Sequence, residues 1–140
     1  MALAIQASRV APPSLQGLRV LVVEDDDDSR EMLEELLSYE GAEVETAADA
    51  AAGLAALLQF KPNVMLSDIG LPGEDGYSLM RRCRRLQLAE ARVPAIAVTA
   101  FCRSQDKAES RAAGFNDHVS KPLDLGDLVR RILRVIGREA

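Results

Sequence analysis

Val64-Met65-Leu66-Ser67-Asp68-Ile69-Gly70-Leu71-Pro72-Gly73-Glu74-Asp75-Gly76 is an apolar run that stops on a carboxylate and gives way to a Pro/Gly loop. A short apolar run between turn residues reads as a buried strand of a parallel sheet, and such sheets carry their working groups at the carboxyl ends of the strands. Asp68 therefore stands at a strand's end. Burying an unpartnered acid there costs several kcal/mol, so the remainder of the chain must supply what offsets it.

Working outward, the pattern repeats. Arg19-Val20-Leu21-Val22-Val23 ends on Glu24 and Asp25, Val93-Pro94-Ala95-Ile96-Ala97-Val98 ends on Thr99, and Phe115 to Ser120 ends at Lys121-Pro122. Ala42 to Ala47 alternates around Val44, as suits a half-exposed edge strand. Between these runs the periodicity turns helical. A helix opening at Ser29, capped by Asp27 or Asp28, carries Met32, Leu33, Leu36, Leu37 and Tyr39 and closes at Gly41. A second spans Ala48 to Phe60, with Asp49 near its start and Leu54, Leu57 and Leu58 facing inward. A third, Tyr77 to Leu86, sets Leu79, Met80, Cys83 and Leu86 against four arginines. A fourth runs from Ala100 to Ala113, and the last follows Asp124 with Leu128, Ile132, Leu133, Val135 and Ile136 inside. Five βα units imply a parallel sheet with helices on both faces and right-handed crossovers.

Composition sets the bounds. With 140 residues, 48% of them apolar, the chain fits one domain with a substantial core. The expected division is an extended tail or linker at 1–17, with Pro12 and Pro13 forbidding helix, a domain at 18–137 and a short tail at 138–140. Seventeen basic against 22 acidic residues leave a net charge of −5, which argues for a protein partner rather than nucleic acid or an anionic membrane. The arginines of the third and fifth helices accordingly read as solvated faces, with no aromatic residues between them to stack on bases. Cys83 and Cys102 lack metal-ligand spacing, no run is long enough to span a membrane, and Met1 to Ala7 lacks signal-peptide character, so a cytoplasmic setting with both thiols buried or half-buried is expected.

In a doubly wound sheet Glu24, Asp25, Asp68, Thr99 and Lys121 project from one edge. Three neighbouring carboxylates repel one another unless they share a proton or a cation, and a hard divalent ion such as Mg2+ accepts oxygen ligands of this kind. Lys121 adds a positive charge opposite. A phosphoryl group could bridge metal, lysine and the Thr99 hydroxyl, with Asp68 as nucleophile and acceptor.

Val22-Val23-Glu24-Asp25, Ser67-Asp68-Ile69-Gly70-Leu71-Pro72, Val98-Thr99-Ala100 and Ser120-Lys121-Pro122 together resemble the four landmarks of response regulator receiver domains, in order, between about Leu18 and Ile136. The resemblance implies a flavodoxin-like (βα)5 sandwich with strand order 2-1-3-4-5. It implies that Asp68 takes a phosphoryl group from a histidine kinase or histidine phosphotransfer domain. Glu24, Asp25, Asp68 and the Gly70 carbonyl would hold Mg2+, and Lys121 would precede a cis Pro122. Thr99 would couple to the fifth strand, where His118 replaces the usual Tyr or Phe, and so change the surface of the fourth helix, fifth strand and fifth helix for a downstream protein. Gly70 and Phe101 occupy the two positions that tune water attack in that family; neither orients a water, so a long-lived aspartyl phosphate is expected.

The chain is thus expected to be a phosphoacceptor rather than an enzyme. An aspartate-nucleophile phosphohydrolase is the alternative from another class, but it needs a second acid where Gly70 stands. A flavin or nucleotide binder needs a Ser/Thr/Gly-rich loop after the first strand, where Glu24 to Asp28 would repel phosphate. The segment Ser67 to Tyr77 and the linker before Leu18 resemble receivers at the carboxyl end of hybrid histidine kinases, which makes that origin the expectation and a stand-alone regulator the alternative.

Overall fold

Apolar runs become strands and amphipathic runs become helices in strict alternation in the computed structural model, which describes residues 14–86, 88–100 and 104–138. The strands are β1 (Arg19–Val23), β2 (Glu43–Ala47), β3 (Val64–Asp68), β4 (Ala95–Thr99) and β5 (Asp117–Ser120). The helices are α1 (Asp27–Tyr39), α2 (Ala50–Phe60), α3 (Gly76–Arg85), α4 (Ser104–Ala113) and α5 (Leu125–Val135), with a 3-10 turn at Ala89–Arg92. All strand pairs are parallel, in the order β2-β1-β3-β4-β5. This is the flavodoxin-like fold, with β2 at an edge as its alternation demands.

Alternating side chains of the central strands feed two cores, one on each face. Val20, Val22, Leu66 and Val98 pack with Leu33 and Leu37 of α1 and with Leu128, Val129 and Ile132 of α5. Leu21, Val23, Met65 and Ala97 pack with Leu57 of α2 and with Leu79, Met80 and Cys83 of α3. The central strands β1, β3 and β4 are therefore buried on both sides, which is why they read as apolar runs.

Several local expectations need correction. Helix α1 begins two residues before Ser29, and its cap is Asp26, whose carboxylate accepts from the Ser29 N–H at 2.9 Å; Asp27 and Asp28 occupy the first turn, where the helix dipole favours acids. Met32 and Tyr39 lie exposed, because Leu33 and Leu37, four apart, take the buried stripe. Strand β5 starts at Asp117, two residues later than expected; Phe115 is instead a buried core residue before it. Ala100 is a bend rather than helix, and Phe101 and Cys102 lie outside the described residues. Ser14 to Gly17, within the expected linker, form a turn: Leu15 is fully buried and its N–H donates to the Glu40 carbonyl at 2.7 Å.

The four arginines of α3 do not share a solvated face. Arg84 turns inward and donates to the carbonyls of Ala91 (3.0 Å), Val93 (2.7 Å) and Gly114 (2.8 and 3.1 Å). Gly114, at φ +118°, makes room for it, since a Cβ there would lie 2.7 Å from Arg84 Cγ. Burial pushes the Arg84 pKa down, and the four carbonyl contacts are what hold the charge in place.

Candidate functional site

Register brings the strand-end residues level. Val23 pairs with Ser67, Asp68 with Val98 and Thr99 with Ser120, so Glu24, Asp68, Thr99 and Lys121 all arrive at the carboxyl edge of adjacent strands. One oxygen from each of Glu24, Asp25 and Asp68 lies within 4.8 Å of the others. Lys121 closes the group: its ammonium donates to Glu24 Oε1 at 3.0 Å and to Asp68 Oδ2 at 2.8 Å. The peptide bond between Lys121 and Pro122 is cis.

Each acid is held differently. Glu24 is buried, at 2% exposure, and its second oxygen accepts from the Asp26 N–H at 3.1 Å. Burial pushes its pKa up and the Asp68 charge adds to this, while the Asp26 N–H and Lys121 work in the opposite direction. Burial also draws the Lys121 ammonium down, yet its hydrogen bonds to Asp68 and Glu24 win and leave its pKa above the usual lysine range. The other oxygen of Asp68 accepts from the Gly70 N–H at 3.1 Å. Asp25 is exposed on the loop that follows β1.

A cleft of about 290 Å3 opens over Asp68, lined by Ile69, Gly70, Thr99, Ala100 and Lys121. Thr99 thus sits where the sequence placed it, on the cleft wall. His118 does not line this cleft. Val119 faces the α1 and α5 core, so His118 points to the opposite face of β5, beside a cavity of about 360 Å3 shared with Lys107, Asp127 and Arg131. It pairs in register with Ala97, two residues before Thr99. Burial lowers its pKa, Lys107, Arg131 and Arg111 push the same way, and Asp117 opposes them.

Two positions that shape the site escaped the sequence reading. Gly76 opens α3 directly beneath β3; a Cβ there would lie 2.4 Å from the Asp68 carbonyl oxygen and 2.9 Å from Ile69 Cα, and its N–H donates to the Ile69 carbonyl at 2.9 Å. In the sequence it reads only as the last residue of the Pro/Gly loop, whereas it is the first residue of α3, just after the cap Asp75. Arg30 donates to the Glu24 carbonyl at 3.0 Å and the Asp25 carbonyl at 3.4 Å, contacts that a position on a helix does not announce.

The arrangement suits a small, hard cation. Three carboxylates face one ammonium, all donors are oxygens, and the buried member already resists ionisation; a divalent ion with oxygen preference relieves that repulsion. Among the described residues no helix is long and apolar enough to cross a membrane.

Comparison with known proteins agrees with this geometry. The family model for the response regulator receiver domain matches residues 20–133. The chain is 39% identical over 119 residues to the 14.6 kDa protein in the sodA1 3′ region of Leptolyngbya boryana, covering 85% of this chain and 90% of that one. It is 40% identical to the transcriptional regulatory protein CseB of Streptomyces coelicolor, covering 85% of this chain and 49% of the regulator. With the virulence transcriptional regulatory protein PhoP of Salmonella typhimurium the identity is 35%, over 88% and 54% of the two chains. The chain therefore spans about half the length of these regulators. Among solved structures it superposes on the receiver domain of the sensor histidine kinase PA1611 from Pseudomonas aeruginosa with a TM-score of 0.79 at 33% identity, over 86% and 98% of the chains; that domain carries a magnesium ion coordinated in its active-site cleft. A CheY-like receiver domain protein from Methanospirillum hungatei gives 0.77 at 31% identity, over 86% and 94%. Strand order, the acid cluster facing Lys121 and a family match across residues 20–133 lead to one conclusion: this chain belongs to the response regulator receiver domains, the phosphoacceptor modules of two-component signalling.

Proposed function

We propose that Asp68 is the phosphoacceptor and that it takes its phosphoryl group from a phosphohistidine on a histidine kinase or histidine phosphotransfer domain. The observation that carries this reading is the convergence of Glu24, Asp25 and Asp68 within 4.8 Å, with Lys121 bonded to two of them. An Asp68 oxygen attacks phosphorus, the P–N bond breaks, and its electron pair leaves with the imidazole. Glu24, Asp25, Asp68 and the Gly70 carbonyl are the groups that would hold Mg2+, which when bound supplies positive charge for the transferring phosphoryl oxygens. Lys121 exchanges its bond to Asp68 for one to a phosphoryl oxygen, and the Thr99 hydroxyl, on the cleft wall, donates to another.

The consequence passes to the face formed by α4, β5 and α5. Thr99 moving toward the phosphoryl group opens space on the side of the sheet that His118 faces, and the population shifts only as far as the phosphoryl group is held better in the moved state. The output partner is a protein reading that face. A cytoplasmic setting and an origin in a hybrid histidine kinase are the readings we favour, the latter from the wording of Ser67 to Tyr77 and the likeness to a sensor kinase receiver. The test is direct. Incubation with Mg2+ and acetyl phosphate should add one phosphoryl mass, which peptide mapping should place on Asp68; Asp68→Asn should abolish it. Label elsewhere, or label retained in Asp68→Asn, sinks the assignment.

A further inference from the structure

We infer that Arg30 is a positioning residue for the cation site: it fixes the backbone from which Glu24 and Asp25 reach the metal. The inference rests on the proposed Mg2+ reading and extends it to a residue outside the four landmarks.

Asp25 poses the question that Arg30 answers. Glu24 is gripped from two sides, by Lys121 and by the Asp26 N–H. Among the described residues the Asp25 carboxylate accepts no hydrogen bond and stands exposed, so its reach to a cation is set by where the backbone places its Cα. The two peptide planes that flank the Asp25 Cα carry the Glu24 and Asp25 carbonyls. One nitrogen of the Arg30 guanidinium, Nη1, meets both, at 3.0 and 3.4 Å. Its other terminal nitrogen is tied to Asp27 Oδ1 at 2.5 Å. The fork is thus fastened at both ends, and it pins the segment from Glu24 to Asp27 against the first turn of α1.

Charge alone predicts the reverse effect. A bare cation beside a metal site repels the metal, so removing it would tighten binding. Here Arg30 pairs with Asp27, itself exposed to water, so its charge is both paired and screened and repels a cation little. Groups that orient metal ligands in this way typically change affinity by on the order of tenfold when lost. A planar, five-donor fork does this work in a way that a point charge on a flexible stem does not.

The experiment is calorimetric titration of the full chain with MgCl2, comparing wild type with Arg30→Met, which keeps the aliphatic stem, and Arg30→Lys, which keeps the charge. Circular dichroism confirms that each is folded at the temperature used. Both variants are expected to bind Mg2+ on the order of tenfold more weakly than wild type. If either binds as tightly as wild type, or more tightly, the positioning role is overturned. Should Arg30→Met not fold, Arg30→Lys alone decides. If wild type itself binds no Mg2+, the metal site is wrong, an outcome distinct from failure of the Arg30 inference.

Discussion

One missing methyl group at Gly76 lets α3 start against β3. The obstacles a Cβ would meet are backbone atoms, the Asp68 carbonyl at 2.4 Å and Ile69 Cα at 2.9 Å, so no side chain can rotate aside. Gly76→Ala should destabilise the fold by about 1–3 kcal/mol in urea unfolding, as overpacked sites do, and should slow phosphoryl transfer to Asp68; unchanged stability would show that the helix shifts freely. His118 makes a second prediction. It is the only histidine in the chain, and burial holds its folded pKa below the ordinary 6.5. The unfolded chain therefore takes up the proton first, so stability is full above about pH 6.5 and falls as pH drops below it. Glu24, whose pKa is raised, slopes the other way. The difference between wild type and His118→Gln isolates the histidine: wild type should lose more stability on going from pH 7.5 to 5.5, and parallel curves would contradict this.

Helix α3 shows how an element is fastened by a residue whose partners lie far along the chain. Arg84 joins it to the turn before β4 and to the α4–β5 loop through the carbonyls of Ala91, Val93 and Gly114. Arg84→Met fills similar space and strips the donors, which leaves part-buried carbonyls unsatisfied. A loss of roughly 2–3 kcal/mol is expected, read as a lower urea midpoint with an unchanged slope. The sequence could not announce this clasp. Arg84 falls among three other arginines, and Gly114 stands thirty residues away. The cap of α1 was obscured for a different reason: Asp25 to Asp28 are four adjacent acids with equal capping chemistry, and the choice of Asp26 follows from the turn that also presents its N–H to Glu24. By contrast the strand ends were plain, because each apolar run stops on a polar residue and a fully buried parallel strand cannot do otherwise. Asp68 and Thr99 were legible on that ground; Lys121 follows a polar, partly buried strand and was marked instead by the Lys-Pro pair at its end.

On the scale of the molecule, the sheet converts four unrelated sequence positions into one edge. Glu24, Asp68, Thr99 and Lys121 are spread over nearly a hundred residues, yet parallel register sets them side by side. The same topology turns His118 away from the cleft over Asp68 and toward the cavity beside Arg131 and Lys107, a detail that strand order predicts only once the facing of Val119 is known. Leu15, in the core with α1 and bonded to the Glu40 carbonyl, ties the turn before β1 to the sheet. The central claim is that the acids at this edge work as a set with a cation and Lys121. It is tested most directly by following phosphoryl incorporation from acetyl phosphate by intact mass, in wild type, with MgCl2 or with excess EDTA. Incorporation that requires Mg2+ and falls sharply in Lys121→Met is the predicted result; equal incorporation with and without the metal would contradict it.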